Sequence, residues 1–434
     1  MSKYTVGLYT LGCKVSQYET EAIAERFLQS GYTVLPFTEV CDAYVINTCT
    51  VTRESDRKSR QVIGRAKKKN PGAVIAVLGC YTQRTPEEVE KMGGVSIILG
   101  TQDKLSVVER VGEILEGTGI EPLISVSSLE GAGFEPMCVV GTPRTRAYVK
   151  IEDGCESKCT YCAIADARGP VRSKAREDVI SEVEALAKTG VLEIVLTGIE
   201  TGSYGRDLGS YGLGDLIREL DERGSCKRVR LGSLAPELVG RDFAEKIKGV
   251  EILAPHFHIS MQSGSDEILH KMRRRYSVAM AEENMARLKE CFPSAQFTTD
   301  LMVGFPGETE ENFLQTVELV RRVGFLDAHV FAYSRRVGTP AASFEGQIPE
   351  EIKRERSKRL VDEVALVRDS VLSNIVEKAT PLSCILETYS SGRYSAHSDS
   401  FVEVLVEGEE GLGGKMVNVL PVSHKSGIVY GKLI

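Results

Sequence analysis

A chain of 434 residues, 42% hydrophobic and 26% charged, carries enough apolar material for about three ordinary globular domains. Its net charge of −7 gives no bulk positive field to gather nucleic acid, so any such contact has to come from local patches. No apolar run reaches the ~18 residues of a membrane span, and Met-Ser-Lys-Tyr-Thr-Val-Gly-Leu reads directly into a strand, so a cytoplasmic protein with no membrane partner is expected.

Residues 1–120 alternate strand and helix. Strands are predicted at Tyr4–Thr10, Ala43–Thr48, Ala73–Leu78 and Val95–Leu99, with an amphipathic helix at Tyr18–Gln29 ended by Gly31. This βαβ rhythm implies a parallel sheet covered by helices. Between Arg53 and Lys69 stand eight Lys or Arg against Glu54 and Asp56. Arg53, Arg57, Arg60 and Lys67 recur at helical spacing opposite Val51, Ser55, Val62 and Ala66, which suits either a solvated helix face or a stripe for phosphates. Residues 117–145, rich in Gly and Ser with Pro136 and Pro143, read as a linker.

From Arg146 the rhythm restarts, with strand-like segments at Ala147–Glu152, Glu193–Thr197, Arg228–Ser233, His256–Met261, Gln296–Val303 and Leu326–Tyr333. Helical stretches such as Lys174–Lys188 and Glu308–Val323 separate them, so residues 141–372 are expected to form an open (β/α)6 partial barrel. A long charged helix follows at Pro349–Glu377. Residues 373–434 carry short β-branched runs at Ser383–Tyr389, Phe401–Glu407, Lys415–Val422 and Gly427–Leu433, which fit a small antiparallel β-barrel.

Eleven cysteines without a secretory context point to metal or catalytic roles. Cys155, Cys159 and Cys162 form a C-x3-C-x2-C string, and three thiolates this close can hold three irons of a [4Fe-4S] cluster while leaving the fourth iron open. A zinc knuckle would need a fourth Cys or His nearby, and none occurs before Cys226. Cys13, Cys49 and Cys80 look unrelated, yet each directly follows an apolar strand. The carboxyl ends of parallel strands share one edge where ligands bind, so these three thiols are expected to converge as ligands of a second cluster. Cys41, Cys138, Cys226, Cys291 and Cys384 show no such placement and are assigned to packing.

With Tyr161 between its last two cysteines, the loop string resembles that of the radical S-adenosylmethionine (SAM) enzymes. Both cysteine sets in this order, together with Asn47-Thr-Cys49, Gly79-Cys80, Leu196-Thr-Gly-Ile199, His256-Phe-His-Ile-Ser-Met-Gln-Ser-Gly-Ser265 and Asp300-Leu-Met-Val-Gly-Phe-Pro-Gly-Glu-Thr309, resemble the methylthiotransferases of that superfamily over nearly the whole chain. The resemblance implies an N-terminal methylthiotransferase domain, a radical SAM core and a C-terminal TRAM barrel. It also implies two [4Fe-4S] clusters, SAM, a low-potential electron donor and a monomeric enzyme acting on tRNA. The opening Leu-Gly-Cys13-Lys-Val-Ser-Gln-Tyr-Glu-Thr-Glu21 and Arg230-Leu-Gly-Ser-Leu-Ala-Pro236 look like the branch that modifies N6-threonylcarbamoyladenosine beside the anticodon. Branches acting on isopentenyladenosine or on a ribosomal protein are the alternatives, and a cluster-bearing RNA-binding protein without turnover is a third. Ser263, where the ribosomal branch carries His, argues against the second.

The resemblance further implies that Tyr161, Thr197, Gly198, Glu200 and Ser233 adjoin SAM, although Tyr161 could equally pack a core. His256 and His258 are expected on opposite faces of one strand. Arg53, Arg57 and Arg60 of the basic helix, with Arg168, Arg172, Lys174 and Arg176 past the cluster loop, are the candidates for RNA. Tyr389, Tyr394 and Phe401 would stack bases or close the small barrel.

Overall fold

The computed structural model describes residues 4–141 and 145–434, and Pro143 of the expected linker lies outside them. The first sheet is built from β1 (Thr5–Thr10), β2 (Thr33–Leu35), β3 (Ala43–Thr48), β4 (Val74–Gly79), β5 (Ile97–Leu99) and β6 (Leu123–Ser125). All six pair in parallel in the order β2-β1-β3-β4-β5-β6. The central β3 and β4 are buried along their whole length, as expected of a parallel strand covered on both faces. Part of the expected linker is therefore structured. Its Leu123–Ser125 is the edge strand of this sheet, so the sheet extends past the expected boundary at residue 120.

Helix α1 (Lys14–Gln29) buries Val15, Tyr18, Ala22, Ile23 and Phe27. Helix α2 (Arg53–Lys69) explains its own charge pattern. Thr52 caps its N-terminus by accepting from Ser55 N, and Glu54 and Asp56 occupy the first turn while Lys67, Lys68 and Lys69 fill the last. Acids at the positive end and bases at the negative end each complement the helix dipole. The short α3 (Cys80–Arg84) starts directly where β4 stops.

The second unit has β7 (Arg146–Lys150), then β8 (Glu152–Asp153) paired antiparallel with β9 (Arg172–Ser173), then β10 (Glu193–Thr197), β11 (Val229–Leu231), β12 (Ser233–Leu234), β13 (His256–Gln262), β14 (Gln296–Val303) and β15 (Asp327–Ala332). The parallel wall runs β7-β10-β11 and continues as β12-β13-β14-β15. The expected third strand is thus one strand interrupted at Gly232, and the six βα units form an open barrel as anticipated. Its long core includes Val149, Leu196, Leu231, Phe257, Ile259 and Leu301.

The last unit is a closed five-stranded barrel of β16 (Leu382–Ser390), β17 (Arg393–Ser398), β18 (Glu403–Glu407), β19 (Met416–Lys425) and β20 (Ile428–Leu433), in the order β16-β17-β18-β20-β19. Strand β17 had no counterpart in the sequence reading, because Arg-Tyr-Ser-Ala-His-Ser alternates without β-branched residues. A 29-residue helix, Glu350–Lys378, precedes the barrel and runs across the expected boundary at 372. Its Leu360 and Val364 enter the core of the open barrel, and its Leu372 enters that of the closed one.

Candidate active site

The register of the first sheet gathers three cysteines. Thr48 of β3 pairs with Gly79 of β4, so Cys49 and Cys80 leave adjacent strands side by side. Leu11 N donates to Asn47 O at 2.8 Å, which brings the turn before Cys13 to the same edge. Gly79 must be glycine: its φ is +108°, and a Cβ there would lie 2.6 Å from both Asn47 Oδ1 and Thr48 O. A Cβ on Gly12 would lie 3.3 Å from Cys49 Sγ, which shows how closely the Cys13 turn meets Cys49. Cys49 and Cys80 are buried and Cys13 is exposed. Burial pushes the Cys80 thiol up to about 11, Arg168 opposes this, and the fields of Cys13 and Cys49 add to it.

The second set sits on the loop between β8 and the short helix Ile164–Arg168. Thr160 anchors it, donating N–H to Met272 O at 3.1 Å and Oγ1–H to Lys271 O at 2.9 Å. Ser157 N donates to Cys155 Sγ at 3.5 Å, Ile164 N to Cys162 Sγ at 3.4 Å, and Arg274 Nη1 to Cys159 Sγ at 3.4 Å. Burial pushes Cys162 up to about 12, and the fields of Cys159 and Cys155 contribute. Among the described residues no three His, Cys, Asp or Glu close in on a point as one metal ion requires. A cluster makes a looser demand, since each thiolate binds a different iron. Six free thiols, with cationic or backbone N–H donors aimed at four of the sulfurs or at their neighbours, fit such a group better than a mononuclear site.

The two sets are joined by buried charge. Arg168, at the end of the helix that begins two residues after Cys162, donates from Nε to Cys80 Sγ at 3.1 Å. Its Nη1 reaches Glu19 Oε1 at 2.5 Å and Asp153 Oδ2 at 3.1 Å, and its Nη2 reaches Glu19 Oε2 at 3.2 Å. Lys104 Nζ and Lys150 Nζ lie 2.7 and 3.0 Å from Glu19 Oε1, and Lys150 Nζ lies 2.6 Å from Asp153 Oδ2. All five side chains are buried. The cations hold the Glu19 and Asp153 carboxyls well below the usual range despite their burial.

Residues 149–320 match the Radical SAM superfamily, and residues 5–100 match an uncharacterised family designated UPF0004. The chain is 41% identical over 421 residues, 96% of its length and 93% of the relative's, to the threonylcarbamoyladenosine tRNA methylthiotransferase MtaB of Bacillus subtilis. The MtaB of Thermotoga maritima is 39% identical over 81% of this chain and 80% of its own. The tRNA-2-methylthio-N(6)-dimethylallyladenosine synthase of Acetivibrio thermocellus is 31% identical over 98% of this chain and 90% of its own. The chain belongs to the radical SAM tRNA methylthiotransferases. Enzymes of this family use SAM and [4Fe-4S] clusters. Among solved structures, the radical SAM methyltransferase TsrM of Kitasatospora setae shares its fold, with a TM-score of 0.57 and 16% identity over 90% of this chain and 82% of that one.

In this methylthiotransferase the end of β10 and the loop after it carry three of the residues expected around SAM. Thr197 is buried, its carbonyl accepting from Ile151 N at 2.9 Å. A Cβ on Gly198 would lie 2.4 Å from Glu152 Oε2, so a side chain there would displace that carboxylate. Glu152 Oε2 also accepts from Glu200 N at 2.8 Å, while Oε1, buried in the same loop, has no partner among the described residues. Sequence reasoning missed Glu152, and its only signal was an acid at the inward end of an apolar strand. Burial pushes its carboxyl well up, while the Glu200 N–H and the Lys150 ammonium pull it back. Glu200 accepts from Ala235 N at 3.1 Å, and burial raises it to about 7 against the pull of Arg274. Ser233 is exposed on β12, opposite His258. Tyr161 is half-buried and packs on the apolar cluster that contains Met272, Met302, Phe305 and Tyr333.

Other expectations are corrected. Arg168 and Arg172 are buried and cannot meet RNA, since Arg172 Nη1 donates to Arg168 O at 2.8 Å and to Pro170 O at 3.0 Å. Lys174 is buried against Glu182, and Arg176 is held bidentate by Glu219 at 2.6 Å. Arg168, Arg172 and Lys174 were mistaken for surface because sequence does not show their acidic partners, whereas Arg176 stays partly exposed. On α2 nothing overturns the expectation: Arg53 and Arg57 are both exposed, Arg57 pairing with Glu54 at the surface, and the half-exposed Arg60 donates to Tyr81 Oη at 3.1 Å. His256 Nε2 and His258 Nδ1 both meet Thr298 Oγ1 at 2.9 Å, so they share one face of β13, as residues two apart must. Phe401 stacks on His256 with centroids 4.5 Å apart and lies under Arg230, while Tyr394 is buried in the closed barrel against Tyr389. These rings build the barrel and its joint.

Proposed function

We propose that this methylthiotransferase inserts a methylthio group at C2 of N6-threonylcarbamoyladenosine beside the anticodon of tRNA, working in the cytoplasm with an external low-potential electron donor. The observation that carries this reading is the bridge between the two thiol sets, Arg168 touching Cys80 from the helix that starts beside Cys162. The 41% identity to the Bacillus subtilis enzyme over nearly the full chain supports the choice of base. Both sets come from a single chain, so a monomer suffices. In this reading residues 1–120 with Leu123–Ser125, 141–372 and 373–434 are the methylthiotransferase, radical SAM and TRAM domains, the long helix Glu350–Lys378 joining the last two.

Cys155, Cys159 and Cys162 would hold one [4Fe-4S] cluster, and Cys13, Cys49 and Cys80 the other, with SAM beside the first. When bound, these groups supply the one-electron chemistry and the sulfur needed to replace an unactivated C–H bond by C–S–CH3, which side-chain acids and bases cannot do. The chain's own residues bind and orient. Glu152 offers its unpartnered Oε1 to an amino group, Gly198 lets the backbone come close, and Glu200 from the loop after β10 and Ser233 from β12 supply oxygens. Buried Cys49 and Cys80 keep water from the sulfur donor, while exposed Cys13 leaves one side of it open.

Mass spectrometry of tRNA nucleosides from cells lacking the gene tests this. Loss of the methylthio group from threonylcarbamoyladenosine alone is expected. Loss from dimethylallyladenosine instead would reassign the substrate.

A further inference from the structure

Arg168 is built into the junction more heavily than a packing role needs. Its guanidinium is fully buried, and Nε donates to a cysteine sulfur while both terminal nitrogens are held by carboxylates. Arg168, Lys150 and Arg172 are three buried cations set against the two carboxylates Glu19 and Asp153, with Arg172 Nη2 3.6 Å from Asp153 Oδ2, and Lys104, whose ammonium burial pushes down, lies beside Glu19. Surplus buried charge is expensive unless an anion offsets it, and the sulfur of Cys80 is where this surplus is delivered. Glu135, near Lys104 and Lys150, does not offset it, because burial pushes that carboxyl up toward its neutral form. The other cysteine set has a weaker counterpart. Arg274 is only partly buried, and its contact to Cys159 Sγ is longer, at 3.4 Å.

We propose that Arg168 is a positioning residue that raises the reduction potential of the cluster held by Cys13, Cys49 and Cys80, and locks that cluster's ligand edge to the loop carrying the other three thiols. A hydrogen bond and a positive charge at a cysteine sulfur stabilise the more negative, reduced form, and a low-dielectric surrounding screens the effect little. The inference rests on the thiol assignment above, so the experiment separates the two.

The chain with Cys155, Cys159 and Cys162 all changed to Ala is reconstituted anaerobically with iron and sulfide. About four irons per chain then report on the Cys13, Cys49 and Cys80 set alone. If that chain takes up no iron, the ligand assignment falls, and this inference with it. With iron in place, the midpoint potential is followed by electron paramagnetic resonance during a redox titration. Arg168→Gln is expected to lower the reduced-to-oxidised ratio at a fixed potential about tenfold, equivalent to ~59 mV for one electron. Arg168→Lys, which keeps the charge and disturbs folding least, is expected to move it less, and Arg274→Gln not at all. Full iron loading with an unchanged midpoint in Arg168→Gln overturns the inference, as does an equal shift from Arg274→Gln. Should Arg168→Gln fail to load iron, Arg168→Lys decides, and an unchanged midpoint together with an unchanged signal shape overturns the proposal.

Discussion

The two cysteine sets reach similar ends by opposite means. Cys155, Cys159 and Cys162 lie within eight residues, and a short loop pinned by Thr160 is enough to bring them together. Cys13, Cys49 and Cys80 are scattered, and the register of three parallel strands does the gathering. The dispersed set depends on the sheet, on Gly79 and on the charge cluster beneath it. A site assembled by topology carries its environment with it, and here that environment is a buried ionic knot.

The sharpest way to break this contrast is to remove one thiol from each set. Cys159→Ala is expected to cut 5′-deoxyadenosine release by more than ~1000-fold, the loss of over 4 kcal/mol of barrier lowering. Cys80→Ala should leave that release within about tenfold while abolishing the methylthio product, both read by mass spectrometry. Equal loss of SAM cleavage in the two variants would erase the distinction.

Next in size is the ionic knot itself. Glu19→Ala strands Lys104, Lys150 and Arg168 without their shared carboxylate, and breaking a buried pair from one side costs about 3–5 kcal/mol. Chemical denaturation should report a loss of that order, whereas Glu54→Ala on the exposed Arg57 pair should leave the unfolding midpoint essentially unmoved.

A pH series separates the SAM side from the knot. Glu200 titrates near 7 in the folded chain and near 4.5 when unfolded. Its neutral form is favoured in the fold, so this contribution is complete below about pH 4.5 and is lost as pH rises through 7. Stability should therefore fall by about 2 kcal/mol between pH 5 and 8, allowing for partial solvent screening. Glu200→Gln should flatten that slope in urea unfolding. Glu19 acts with the other sign, its depressed carboxyl losing stability only as the medium becomes strongly acidic.

The smallest effect expected is on α2. Arg53→Ala leaves stability within ~0.5 kcal/mol and, if this face meets tRNA, reduces the salt slope of binding by about one. An unchanged slope would leave the helix as a solvated face whose ends suit its dipole.

Local patterns made much of this legible from sequence. Apolar runs located the longer strands of both parallel units but not the three-residue β2 and β6, and the C-x3-C-x2-C spacing announced one cysteine set. Recognising that Cys13, Cys49 and Cys80 each end a strand was enough to group the second, because parallel strands finish on a common edge. What stayed hidden were pairings between distant residues. Glu19 with Arg168 is separated by 149 positions, so nothing in the string around Arg168 distinguishes a buried guanidinium from a surface one. Glu152 was missed for the same reason, since its meaning lies in the loop it faces. Strand β17 was missed because cross-strand partners, not its own propensities, hold it in the closed barrel.

The long helix Glu350–Lys378 has a mechanical corollary. Twenty-nine residues at about 1.5 Å each make a rod of roughly 43 Å whose two halves are embedded in separate apolar interiors. Arg228 and Arg230, donating to Ser383 and Ser398 across the same joint, bolt its far side. The small terminal barrel is therefore cantilevered from the catalytic wall on a stiff beam. Any torque applied to it is delivered to β15 through the helix and to β11 through the two arginines, not absorbed by a swivel.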